Sequence, residues 1–147
     1  MIKRFGKNEH FRQLIKRIDD AKLQGFYLEC LWLEYAFLEG RLDSVISKAG
    51  IVIKNPKAMF GTKIQAIKDG CTSDSLLSNC IGMNELEKLT EWKDKRNALM
   101  HKLADDLRPW SELNAEIEIL AEEGSVIARS FAASIRRYKK QWKKQNN

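Results

Sequence analysis

Apolar residues recur at helical spacing along most of the chain. Phe11, Leu14, Ile15 and Ile18, with Leu23 beyond them, mark one face of a helix from Asn8 or Glu9 to about Leu23, and Gly25 offers a break. A second helix is predicted from Phe26 to about Lys48. Its apolar positions (Phe26, Leu28, Leu31, Trp32, Leu33, Tyr35, Phe37, Leu38, Leu42, Val45 and Ile46) run almost all the way round the axis. A helix apolar on every side is covered on more than one side. In a chain this short that places it at the centre of a bundle, in an oligomer interface, or in both. Gly50 ends it.

The remaining pattern is also helical. Ile51–Gly61 contains Asn55-Pro56 and reads as a loop. Thr62 to Asp69 forms a short helix with Ile64 and Ile67 inward, closed by Gly70, and Thr72-Ser73-Asp74 caps a further turn through Asn79. The next long helix follows Gly82-Met83, with Asn84 as its N-cap and Glu85 and Glu87 in the first turn, and runs to about Asp105. Leu107-Arg108-Pro109 breaks it. Ser111 caps a last helix that carries acids near its start and Lys/Arg at its end, with Gly124 as a point where it could kink. No repeat, low-complexity tract or strand-like alternation interrupts this order. The expected fold is all-α: an up-and-down bundle of four main helices plus short ones, one domain over residues 1–147.

Composition narrows the class. Met1–Lys7 is basic and leads into a polar segment, unlike a secretory leader, so a cytoplasmic protein is expected. The apolar run Phe26–Leu38 is interrupted by Glu29 and Glu34 and is too short and too charged to span a membrane. Cys30, Cys71 and Cys80 are odd in number and widely spaced; neither a disulfide framework nor a zinc site can be drawn through them, and no metal or other cofactor is expected. The net charge of +6 is unevenly placed. Residues 125–147 hold seven Lys and Arg and no acid, which leaves 19 basic against 20 acidic residues in the rest. A neutral body with a cationic C-terminal helix end points to an anionic partner, of which nucleic acid is the commonest.

The candidate chemistry lies at Arg96-Asn97-Ala98-Leu99-Met100-His101. An arginine and a histidine supply what metal-free RNA cleavage needs: a cation for the charge that grows on the phosphate, and an imidazole to carry a proton. On a straight helix Arg96 and His101 stand about 140° apart, whereas Asn97 and His101 share a face. Two copies of this helix facing each other across a two-fold axis would place each His near the partner's Arg, so a functional site here implies a homodimer. The plainer reading is chance: Arg96 pairing with Glu91 or Glu87, and His101 packed or simply exposed.

The stretch resembles the signature of the HEPN superfamily, small all-α domains of prokaryotic toxin–antitoxin, abortive-infection and CRISPR-associated ribonucleases, in which an Arg is followed after four to six residues by a His, often with Asn, Asp or His directly after the Arg. Here the spacing is four and the Asn is present. Glu34–Leu42, a long-helix stretch with acids beside Arg-Leu, is similar to the upstream element of that superfamily, and Met59–Ile64 is similar to a turn-to-helix stretch of some members. The resemblance covers roughly residues 26–106. It implies a metal-independent endoribonuclease in which His101 acts as general base or acid, Arg96 binds the scissile phosphate, Asn97 orients His101 or contacts substrate, and the products are a 2′,3′-cyclic phosphate and a 5′-hydroxyl. Some members add an upstream acid; Glu34 is the candidate, with Glu39 second, and the alternative for Glu34 is an ion pair with Arg41 on the same face. One departure stands: members controlled by modification of a Tyr two residues after the His have a counterpart here in Leu103, so that control is not expected.

The C-terminal segment interleaves Tyr138 and Trp142 with Arg136, Arg137, Lys139, Lys140, Lys143 and Lys144. Arg136, Arg137, Lys139, Lys140 and Trp142 are candidate RNA contacts, cations on phosphates and a ring on unpaired bases. Rings packed on the bundle beside cations that suit the helix dipole are the alternative. The expected function is a ribonuclease of bacterial or phage defence or of a toxin–antitoxin pair, with RNA, a second copy of the chain and an antitoxin or regulatory protein as partners. The rivals are a non-catalytic RNA- or nucleotide-binding module of the same fold, and a helical adaptor.

Overall fold

A computed structural model describes residues 6–147; residues 1–5, most of the basic Met1–Lys7 segment, lie outside it. The described residues are all-helical. α1 (Lys7–Leu23), α2 (Tyr27–Ala49), α3 (Phe60–Cys71), α4 (Ser75–Cys80), α5 (Met83–Lys102) and α6 (Trp110–Gln145) follow in that order. No helix among them is long and apolar enough to cross a membrane.

Two glycines shape the first half. Gly25 and Gly50 take positive φ (77° and 68°), the left-handed conformation that side chains with a Cβ resist. Each closes a long helix with the same bond, from the N–H after the glycine back five residues: Phe26 to the Ala21 carbonyl at 2.8 Å, and Ile51 to the Ile46 carbonyl at 3.0 Å. α1 therefore turns back onto α2, and Phe11, Ile18 and Ala21 enter the core.

α2 packs on α1, α3 and α6, as its all-round apolar pattern predicts. Leu31, Phe37, Leu38, Leu42 and Val45 are fully inside. α6, 36 residues and about 54 Å long, is the other spine and touches α2, α4 and α5. Its inward stripe reads Leu113, Ile117, Leu120/Ala121, Gly124/Ser125, Ala128, Phe131/Ala132, Ile135 and Tyr138. The small residues in the middle let α2 and α5 approach its backbone. Gly124 does not end or divide the helix; it is buried, and the space its missing side chain leaves is filled by Glu34 and Trp92.

Three expected caps resolve differently. Asp74 does cap α4, its carboxylate accepting from the Leu77 N–H at 3.0 Å. Asn84 does not cap α5, which begins one residue earlier with Gly82 at the N-cap, and Ser111 does not cap α6, which begins at Trp110 after Pro109. Neither of those two starts has a side-chain cap bond. Pro109 stands at the N-cap of α6 and has no side-chain acceptor; its carbonyl instead accepts from the Glu112 and Leu113 N–H groups at 3.0 and 3.2 Å.

Candidate functional site

Arg96 lies on the inner flank of α5. Trp92, one turn before it, is fully buried and donates from Nε1 to the Leu120 carbonyl at 3.1 Å, which fixes the rotation of α5 against α6. That rotation turns Arg96 toward α2, where its guanidinium lies over the Tyr35 ring at 4.3 Å from the centroid. Tyr35 in turn packs on Phe60 of α3, ring centroids 4.7 Å apart. Arg96 is half-buried. Nη1 donates to the Asn97 side-chain oxygen at 3.2 Å, and Nε is buried with no partner. Neither Glu91 nor Glu87 pairs with it, and no carboxylate among the described residues lies within ion-pair distance.

A delocalised cation stacked on an aromatic face keeps its in-plane donors available to planar oxyanions, which suits a phosphate. Other cations stand around the same platform. Lys93 reaches back over α3, its Nζ 3.1 Å from where a Cβ at Gly61 would lie, and bridges Asp94 at 2.9 Å. Lys63 bridges Asp43 at 3.0 Å and Glu39 at 3.8 Å. Burial, and then the Glu39 charge, raise the Tyr35 pKa, with Arg96, Lys93 and Lys63 opposing. Tyr35 is thus a neutral platform under Arg96, whose charge alone is unpaired there, since Lys93 and Lys63 are each held by acids.

The proposed site residues are only partly brought together. Arg96 and Asn97 are bonded to each other, so Asn97 orients the arginine in this chain. His101 is exposed in the last turn of α5, and no hydrogen bond joins it to Arg96 or Asn97. Glu34 faces neither. It is fully buried between α2 and α6, where Oε2 accepts from the Ser125 hydroxyl at 2.9 Å and Oε1 has no partner. Burial pushes its pKa up to about 8, against the opposing Ser125 bond. The Glu34–Arg41 pair does not form, because Arg41 instead lies over the Phe11 ring at 4.7 Å. Glu39 is the acid nearer the arginine platform, held by Lys63. Tyr35, Gly124 and Ser125, which complete these arrangements, have no signature in the sequence; Tyr35 was visible only as one more apolar position of α2.

The C-terminal segment is the second half of α6. Tyr138 is fully buried, its hydroxyl without a partner and its pKa pushed up to about 12 by burial. Trp142 is partly buried, and the Lys48 ammonium covers one face of its ring at 3.8 Å. Arg137 donates to Ser134 at 3.0 Å, which donates to Glu85 at 2.8 Å. Arg136 and Lys140 are exposed and Lys139 is half-buried. The cations are therefore presented outward, while the aromatic rings serve the bundle.

Among the described residues no group of three or more His, Cys, Asp or Glu could hold a metal ion. All three cysteines are free. Cys30 is buried and donates to the Ile18 carbonyl at 3.3 Å, and burial raises its pKa to about 12, far from a reactive thiolate. Comparison with family models, with curated proteins and with solved structures gives no match.

Proposed function

We propose that this chain is a metal-independent endoribonuclease of the HEPN type, working as a homodimer in a defence or toxin–antitoxin setting, with Arg96 and His101 as its catalytic residues. The observation that supports it is the state of Arg96: half-buried, stacked on Tyr35, free of any carboxylate, and with a buried Nε unpartnered. A structural arginine so placed ordinarily has a carboxylate partner, because an unpaired cation is costly to bury. A phosphate would supply the missing charge.

In this reading an RNA phosphate docks on the Arg96 guanidinium. A histidine takes the proton from the 2′-hydroxyl, the 2′-oxygen attacks phosphorus, the 5′-oxygen leaves and is protonated, and a 2′,3′-cyclic phosphate remains. Arg96 stabilises the extra negative charge of the transition state. Within one chain His101 stands off from Arg96, as the 140° offset requires, so the partner's copy of the motif completes the cleft. Asn97 holds the guanidinium in place. Glu34, bonded to α6, fixes the packing beneath the site and does not touch substrate.

The test is purified protein with total RNA in EDTA, beside His101→Ala. Cleavage by the native protein alone, leaving cyclic phosphate ends, supports the reading. Salt-sensitive RNA binding without cleavage would replace it with a binding module, a reading that the exposed and unbonded His101 favours. Equal cleavage by both proteins would remove His101 from the mechanism.

A further inference from the structure

On another part of the bundle, α1, α2 and the C-terminal half of α6 line a half-open cavity of about 480 Å³. That volume falls in the range of small-molecule sites. Phe11 and Phe37, packed edge to face with centroids 5.6 Å apart, form an apolar wall. Ile15 and Ala132 join that wall, Asn8 and the cations Arg12, Arg41, Arg136 and Lys139 line the remainder, and no acid does. Only Arg12 has a carboxylate, Glu9 at 3.4 Å. Among the described residues Arg41, Arg136 and Lys139 make no ion pair.

Arg41 is the unusual member. It is 5% exposed, and its Nε is buried without a partner. Burial and the nearby Arg136 both work against its charge, and burial together with Arg41, Lys7 and Lys48 does the same to Lys139. Like charges gathered on an apolar wall with no counterion are unfavourable unless an anion joins them. One carboxylate would neutralise one of three cations. A phosphate monoester carries close to two charges and three acceptor oxygens, and guanidinium forks match its geometry.

We propose that this cavity is a binding site for an organic phosphate, its monoester head held by Arg41, Arg136 and Lys139 and its ring or short alkyl body laid against Ile15 and the open edge of Phe11. The site uses no residue of α5 and none of the proposed catalytic residues, though Arg136 and Lys139 are also candidate RNA contacts.

The test is calorimetric titration of the full chain with AMP, octyl phosphate and inorganic phosphate. Saturable one-to-one binding of AMP or octyl phosphate, at least tenfold tighter than inorganic phosphate, is expected; which ester binds tighter assigns the body as ring or alkyl. Arg41 belongs to the core, so the outer cations carry the mutational arm. Arg136→Ala with Lys139→Ala should weaken binding about tenfold or more, whereas Lys54→Ala with Lys57→Ala, exposed lysines outside the cavity, should leave it unchanged. No saturable binding of either ester, affinity equal to that of inorganic phosphate, or equal weakening by both pairs of substitutions would overturn the proposal.

Discussion

Replacing Glu34 by Gln should remove a large part of the fold's sensitivity to rising pH, leaving the smaller share of Glu85, whose pKa burial also raises. The Glu34 carboxyl is fully buried against Gly124 and Trp92, with a single hydrogen bond from Ser125, and its pKa stands near 8 instead of the ordinary 4.5. Desolvation is the main cause; Glu122 adds to it, and Ser125 and Lys22 oppose it. Between those two values the folded protein keeps a proton that the unfolded chain has released. Folded protein binds the extra proton, so stability falls as pH rises through this window; the full contribution is present below about pH 4.5 and is gone above about pH 8. Each pH unit costs about 1.4 kcal/mol, hence roughly 5 kcal/mol across the window, a large share of a typical domain's stability. Glutamine keeps the shape and the Ser125 bond and has no proton to lose. Urea unfolding followed by far-ultraviolet circular dichroism at half-unit steps from pH 5 to pH 8.5 measures the difference. The two proteins should be similar at pH 5 and diverge steadily, Glu34→Gln becoming the more stable by several kcal/mol. Parallel curves would show that Glu34 is ionised in the fold and that the reasoning from burial is wrong.

Further outcomes follow from the same geometry. Gly124→Ala places a Cβ 2.5 Å from Glu34 Oε1 and 2.8 Å from Trp92 Cζ2, so the gain of about 1 kcal/mol in helix propensity should be outweighed by overpacking of roughly 1–3 kcal/mol, seen as a lower urea midpoint. Asp74→Ala, which removes the cap of α4, should cost about 1 kcal/mol in the same assay. Arg96→Lys keeps a charge but loses the flat stack on Tyr35, and should lower RNA cleavage about 100-fold with the circular dichroism spectrum unchanged; wild-type rates would remove the guanidinium from the mechanism. Sedimentation at micromolar concentration should give a dimer, and a stable monomer would argue against a shared cleft.

Element type and order were legible in the sequence because helical periodicity is local. Apolar residues three and four apart on α1, α2 and α5 can be buried together only as a helix, and the left-handed positions after α1 and α2 were marked by Gly25 and Gly50. The caps were less legible, since Asn84 and Ser111 are good capping residues that a one-residue difference in helix start leaves unused. Arg96, Asn97 and His101 were found as a spacing, but a spacing does not say what a side chain lies against. That depended on how α2 sits against its neighbours: beside α5 it gave Arg96 the Tyr35 ring, and on α6 it turned Glu34 to Ser125, far along the chain. Arg41 shows the difference most clearly. Helical geometry allowed a pair with Glu34 seven residues away, yet each was taken by a neighbour from another helix: Phe11 from α1 for the arginine, Ser125 from α6 for the acid. Local pattern sets which residues share a helical face, because backbone geometry repeats; contacts between helices set which of those residues are charged, neutral, free or spent, because desolvation and pairing depend on everything packed around them.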